Sequence, residues 1–463
     1  MKPETSNSIF ELIGGNKLDF FSNALCTAAG IFSNPMKKVS DTVKNAGFIV
    51  ALLLIFIMHF FNAAGAITSR YLYRYMLCCL CLGVVFLCSI RGDVKPIKFS
   101  KSFIIIWLLF GIMQFVSGLK NDVNYLPEAM LFLVVFPALF VVWQNMGFDS
   151  VARLLIKTCI ISFYVFGIVS IVFFPYKSGR YQSFFSNPNG LGGYCGLVLC
   201  CIYVSIFNTK HKGKKLWYTI LLYVCAAFLL LSGCRTAMLA SGLGALAVLI
   251  MSLSKGNSKK IWSDILLIII VGVVVVLCFF LFLGVAEKMN IISEETLSHF
   301  ENSIFSLLSR SKLENKTMDD LSSGRVSVWQ EYIKKLNLFG HPDGEYVTYK
   351  GRDGGTCSNY TCHNYVLQMS INHGLITGAV VVAFMLCSLI QLLRYASKNK
   401  GTISAQFSLI LGVSFFVSAM LESLSITFNY MITLYFYFAL TSIAKENFIK
   451  PDKTIVAVPE NNR

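Results

Sequence analysis

The chain has 463 residues, of which 55% are hydrophobic and only 14% charged, with a net charge of +16. That balance excludes an ordinary soluble protein, in which about a quarter of residues are charged. The positive excess lies in short connecting stretches with no nucleic-acid motif beside it, which sets nucleic-acid binding aside in favour of the positive bias of cytoplasmic loops.

Residues 1–46 are polar and mixed, and Lys37, Lys38 and Lys44 stand just before the first apolar block. They read as a cytoplasmic lead-in without a cleavable signal peptide. From residue 47 to 285 the apolar residues come in blocks of about 20, the length a helix needs to cross ~30 Å of hydrocarbon. Nine such blocks centre near Phe56, Leu82, Phe110, Phe136, Val165, Val198, Val224, Ala245 and Val274. Residues 286–364 form a long polar stretch, too long for a structureless connection. Within it Glu294–Leu308 is amphipathic, and Ser322 or Ser323 can cap a helix through Arg325, Trp329, Tyr332 and Leu336. A turn-rich section with six glycines or prolines from Gly340 to Gly355 follows. Three more blocks centre near Val380, Val413 and Tyr435 in residues 365–443, and residues 444–463 form a polar tail.

Backbone polar groups cannot stay unpaired in lipid, so each block is predicted to be a helix. The fold class is therefore an all-α integral membrane protein with about twelve transmembrane helices and one large extracytoplasmic loop. Orientation follows from the charges. Alternate loops carry Arg91, Lys95, Lys98 and Lys101, then Arg153, then Lys210 to Lys215, then Lys255, Lys259 and Lys260, then Arg394, Lys398 and Lys400. These are predicted to lie in the cytoplasm, with residues 286–364 outside and both termini inside. Most of the fifteen cysteines lie in apolar blocks and act as small hydrophobes. Cys357 and Cys362 flank a polar stretch outside the blocks and could pair in an oxidising space.

Four places could carry chemistry. Arg180 stands at a block edge before Phe185-Ser186-Asn187-Pro188-Asn189-Gly190-Leu191-Gly192, where Asn-Pro-Asn-Gly builds a tight turn and the glycines let a helix start close to a neighbouring backbone. An arginine there either snorkels or holds an anion with its forked donors. Arg235, in Ser232-Gly233-Cys234-Arg235-Thr236, lies between two blocks with almost no loop, at a depth where charges need partners or a function. Arg325 opens the capped helix of the outer loop and, taken alone, reads as a solvated helix residue. His363 stands where the loop re-enters the membrane and can act as a base near neutral pH. His299 and His341 read as surface residues, and His373 as a packed core residue. Together, three arginines and a histidine at one mouth of a helix bundle point to group transfer from a phosphorylated, lipid-embedded donor.

The ordered set, Phe185 to Gly192, Ser232 to Thr236, Arg325 to Trp329 and His363-Asn364-Tyr365, resembles the O-antigen ligase and polymerase family over residues 160–440. The resemblance implies a metal-independent inverting glycosyltransferase of the membrane-embedded, GT-C-like kind, with no cofactor. It implies an undecaprenyl-diphosphate-linked oligosaccharide as donor, with Arg235, Arg325 and Arg180 on the diphosphate and His363 as the catalytic base. Its other implied partners are a second lipid-linked oligosaccharide as acceptor, a chain-length regulator and a flippase. Some ligases carry a second histidine two residues before the catalytic one, where Thr361 stands here, which tilts the expectation toward polymerase. The alternatives are a ligase or protein O-oligosaccharyltransferase, and a lipid-linked sugar transporter. Transport would call for ionisable residues deep in the helices. The nearest is Glu422, predicted to fall in the short turn between the last two blocks.

Overall fold

The structure is a computed structural model, and it describes residues 8–63, 71–120, 126–174, 180–253, 258–288, 324–341, 347–350, 356–359, 361–422 and 431–446. Its helices are α1 (Ser8–Lys37), α2 (Asp41–Ala63), α3 (Tyr71–Ser89), α4 (Lys101–Lys120), α5 (Leu126–Met130), α6 (Phe136–Met146), α7 (Phe148–Phe173), α8 (Pro188–Asn208), α9 (Lys212–Ser232), α10 (Arg235–Leu253) and α11 (Ser258–Lys288). After the described part of the polar loop come α12 (Arg325–Lys334), α13 (Tyr365–His373), α14 (Leu375–Lys398), α15 (Ile403–Leu421), α16 (Met431–Ala439) and α17 (Thr441–Ala444).

Among the described residues, seven helices are long and apolar enough to cross a membrane, and five shorter apolar helices accompany them. The protein is a multi-pass integral membrane protein. Each of the twelve predicted centres falls inside one of these helices. Leucine, isoleucine, valine and phenylalanine side chains stand exposed along the outer faces of α4, α7, α10, α11 and α14, the surface that lipid covers.

Two findings differ from expectation. The sequence predicts no helix in the lead-in, whereas residues 8–37 form one. Helix α1 lies along residues 92–97, with Ser22 donating to Ile97 O at 2.6 Å, Cys26 to Val94 O at 2.9 Å and Ser33 to Gly92 O at 2.9 Å. These residues are spaced four and seven apart, one and two helical turns, so one helix face satisfies the carbonyls of the strap. The polar loop adds the second difference, a two-stranded antiparallel hairpin of β1 (Val347–Lys350) and β2 (Thr356–Asn359). The turn-rich stretch is thus partly strand, and among the described residues this ribbon is the one sheet in a helical architecture. The amphipathic stretch Glu294–Leu308 lies outside the described residues.

Between α5 and α6 the chain makes a π-helical turn, Leu131–Val135. Such a turn loosens the backbone ladder, and Trp107 of α4 donates its Nε1–H to Phe132 O at 2.7 Å. Trp107 is fully buried among Phe132, Phe136, Phe140, Phe384 and Tyr437. Mostly edge-to-face packing of this kind locks rigid rings in place, with the indole N–H satisfied by Phe132 O.

Three contacts set the frame of the site. Helix α10 runs antiparallel to α15 along its length, with Ser414 donating to Ala240 O at 3.0 Å. The first residues of α10 therefore stand beside the last of α15. Helix α8 packs on both α9 and α10. At its start a Cβ on Gly192 would stand 2.2 Å from Cys234 Cβ, so only glycine lets α8 approach the α9–α10 turn. This close approach is the one expected from the glycines after Asn-Pro-Asn.

Candidate active site

Four helices begin at one end of the bundle, and each candidate residue stands at or just before one of those beginnings. Asn187 caps α8, its side chain accepting from Asn189 N at 2.8 Å, and Pro188 is the first helical residue. The Asn-Pro-Asn-Gly stretch is thus a helix start more than a free turn, since proline lacks the N–H that a first turn leaves unpaired. Arg180 reaches over this start. Its Nε donates to Ser232 O at 2.7 Å and one terminal nitrogen to Asn189 Oδ1 at 2.6 Å, tying α8 to the end of α9.

Helix α9 closes at Gly233, and Arg235 is the exposed first residue of α10. Arg325 is likewise the first residue of α12, with Gly324 in the cap position. The cap is therefore Gly324, and Ser322 and Ser323 lie outside the described residues. An arginine at a helix start opposes the helix dipole, so each of these positions concentrates positive charge.

Arg325 is not the solvated residue it resembles in isolation. One terminal nitrogen pairs with Glu422 Oε1 at 2.7 Å, and the other donates to Leu421 O and stands 3.5 Å from Thr236 Oγ1. Thr236 in turn donates to Glu422 Oε1 at 3.2 Å. The second carboxylate oxygen, Glu422 Oε2, lies 3.1 Å from Nδ1 of His363. A carboxylate only accepts, so Nδ1 carries the proton, and in the neutral ring Nε2 is the nitrogen with the lone pair. His363 is about one third exposed, while Glu422 is buried.

Burial by itself pushes the Glu422 carboxyl up. The hydrogen bond from His363 and the charge of Arg325 outweigh it, and hold the group below its ordinary value of 4.5. Glu422 is thus an ionised carboxylate, shared by a guanidinium, a threonine hydroxyl and an imidazole. It caps the end of α15, in the short connection that the apolar blocks predict.

The backbone around His363 is firmly held. His363 itself takes the left-handed conformation, φ +50°, which costs a non-glycine residue about 1 kcal/mol and persists only where the surroundings enforce it. Trp329 Nε1 donates to Cys362 O at 2.6 Å, and Cys362 N donates to Gln368 Oε1 at 3.0 Å. Asn364 caps α13 by accepting from Leu367 N at 2.9 Å and donates to Met420 O at 3.1 Å. Cys362 packs with Val328, Tyr332 and Ile371 in a small core joining α12 to α13. It is a free, buried thiol donating to Asn364 O at 3.2 Å, and burial pushes it up to about 12. The pairing with Cys357 that the sequence allows is therefore not made by Cys362. A disulfide would remove the thiol from this core.

The other histidines sort as follows. His373 is buried at the end of α13, as a packed residue should be. His341 is no loose surface residue. Its ring lies 2.9 Å from Lys335 O and 3.0 Å from Asn337 Nδ2, and so braces the turn after α12. His299 lies outside the described residues.

The structure thus brings Arg325 and His363 into one network through Glu422. Arg235 stands one residue from that network, next to Thr236. Arg180 stands nearby, since its Nε donates to Ser232 O, three residues before Arg235. Glu422 is the member missing from the predicted set. It is the one charged residue between Lys400 and Lys445, and that isolation was the available signal.

Residues 220–382 match the family model described as O-antigen ligase. The matched stretch contains Arg235, Arg325 and His363, whereas Arg180 precedes it and Glu422 follows it. No curated protein matches the chain significantly.

Proposed function

On the premise that residues 220–382 form an O-antigen ligase family domain in a multi-pass membrane protein, we propose that the chain is a polysaccharide polymerase. It joins undecaprenyl-diphosphate-linked oligosaccharide repeats on the outer face of the cytoplasmic membrane. The observation that carries this reading is the His363–Glu422–Arg325 network at the starts of α10, α12 and α13.

In this reading His363 Nε2 takes the proton of an acceptor sugar hydroxyl while that oxygen attacks the anomeric carbon of the donor. The bond from that carbon to the phosphate oxygen breaks, the lipid diphosphate leaves, and the anomeric centre inverts. The imidazolium that forms faces the Glu422 carboxylate, which stabilises it and keeps the ring in the productive tautomer. Proton removal of this kind contributes roughly 10²- to 10⁴-fold. Negative charge grows on the leaving diphosphate. Arg235 and Arg325, each at a helix start, concentrate the positive charge that receives it. Arg325 also has a positioning role, because its guanidinium holds Glu422. Arg180 binds the edge of the same anion site and fixes α8 against α9.

The second reading is a ligase that moves finished glycan from the lipid carrier to another acceptor, and the description of the matched family favours it. Surface and lipid-linked glycans from a deletion strain, run on a gel, separate the two. Single repeats without a ladder support the polymerase. A full ladder held on the carrier supports the ligase. Glycan trapped on the inner leaflet would overturn both in favour of a transporter.

A further inference from the structure

The chain leaving α12 folds back onto the start of α14. His341 N donates to Ile371 O at 2.7 Å, and Leu375 N donates to Asn337 O at 3.0 Å. Asn337 Oδ1 accepts from Phe339 N at 2.9 Å, closing the turn. Gly374 has φ +92°, and a Cβ there would stand 2.1 Å from Leu338 O. Leu338 and Phe339 are therefore held against the first residues of α14.

The sequence of α14 sets the depth of that place. Residues 375–393 hold no charged side chain. At ~1.5 Å per residue these 19 residues span ~28 Å, which nearly fills a ~30 Å hydrocarbon core. Arg394 marks one boundary, so Leu375 lies at the other, and the turn beside it lies at the membrane surface.

At that surface Leu338 is 57% exposed and Phe339 68% exposed. Large apolar side chains held outward at this level are costly in water. Their surroundings continue the lipid-facing side of α14, where Leu375 and Ile376 are exposed beside them, and Val382, Leu386 and Ile390 further down. We infer that Leu338 and Phe339 form a lipid-inserted anchor, whose occupant is the acyl-chain region of the surrounding bilayer. The anchor fixes one end of α12 to the membrane. The other end of that helix carries Arg325, so the anchor holds the guanidinium at the level of Glu422.

The test is site-specific photocrosslinking in the full-length protein in native membranes. Phe339 is replaced by p-benzoylphenylalanine, an aromatic for an aromatic, and adducts are identified by mass spectrometry after irradiation. The same residue at Thr348, exposed on β1, is the control. Phospholipid adducts at position 339, at least fivefold more abundant than at 348, are the expected result. Equal yields at the two positions, absence of lipid adducts, or adducts to another protein would each overturn the anchor. The result does not depend on the reaction catalysed, so it stands or falls apart from the polymerase reading.

Discussion

Glu422 holds the candidate site together at the scale of single residues, and two predictions follow from its charge. Replacing Glu422 by Gln keeps the shape but leaves Arg325 without its buried partner. Breaking a buried pair this way costs on the order of 3 kcal/mol. Purified Glu422→Gln protein should unfold well below wild type at pH 7. The gap has a definite pH dependence. Because the folded carboxyl sits below its ordinary value, its stabilisation is complete above about pH 4.5 and is lost as pH falls through the lower folded value. The two melting temperatures should therefore converge as the pH falls below about 4.5, and a gap that widens toward acid would contradict the assignment. Arg325→Lys tests the fork. A single ammonium cannot serve Glu422 Oε1 and Leu421 O together in the guanidinium's geometry. Transfer activity should fall by at least tenfold, while wild-type kinetics in that variant would remove Arg325 from the site.

Packing at the scale of helices decides where those residues stand. Gly192→Ala puts a methyl against Cys234 and should cost about 1–3 kcal/mol by overpacking, shifting the start of α8 away from Arg235. Cys234→Gly in the same chain removes the clashing Cβ and should restore much of the loss in melting temperature. No rescue would mean that the α8–α10 contact is not what limits this position. Trp329→Phe removes the hydrogen bond to Cys362 O just before the left-handed His363. A lost bond of this kind is worth about 1 kcal/mol. With the ring less firmly placed, kcat should fall several-fold and KM little, as expected for a positioning residue. An unchanged kcat with the same variant folded would show that α12 does not orient the histidine.

At the scale of the whole molecule, the membrane is what made the chain legible. Lipid demands helices of a fixed length, so blocks centred near Phe56 through Tyr435 could be read directly, and each lies in an apolar helix. Arg325 and His363 were legible because charged or titratable groups at the ends of apolar blocks stand out. The partner that unites them was not. Glu422 is 97 residues from Arg325 and 59 from His363, and only the antiparallel packing of α10 and α15 returns it to the helix starts. The β1–β2 ribbon escaped for a different reason, because its glycine-rich surroundings carry no apolar alternation. Helix α1 escaped because its buried stripe is made of serines, a cysteine and an alanine, which hydropathy does not register. The same arrangement makes one central claim, that a histidine backed by a carboxylate transfers glycan from a lipid diphosphate. Its most direct measurement uses protein reconstituted in liposomes with an undecaprenyl-diphosphate-linked repeat as the sole sugar source. Wild type should release undecaprenyl diphosphate and build longer glycan, and His363→Ala, folded and at equal abundance, should lose at least 10²-fold of that rate. Equal rates in the two proteins would contradict the account.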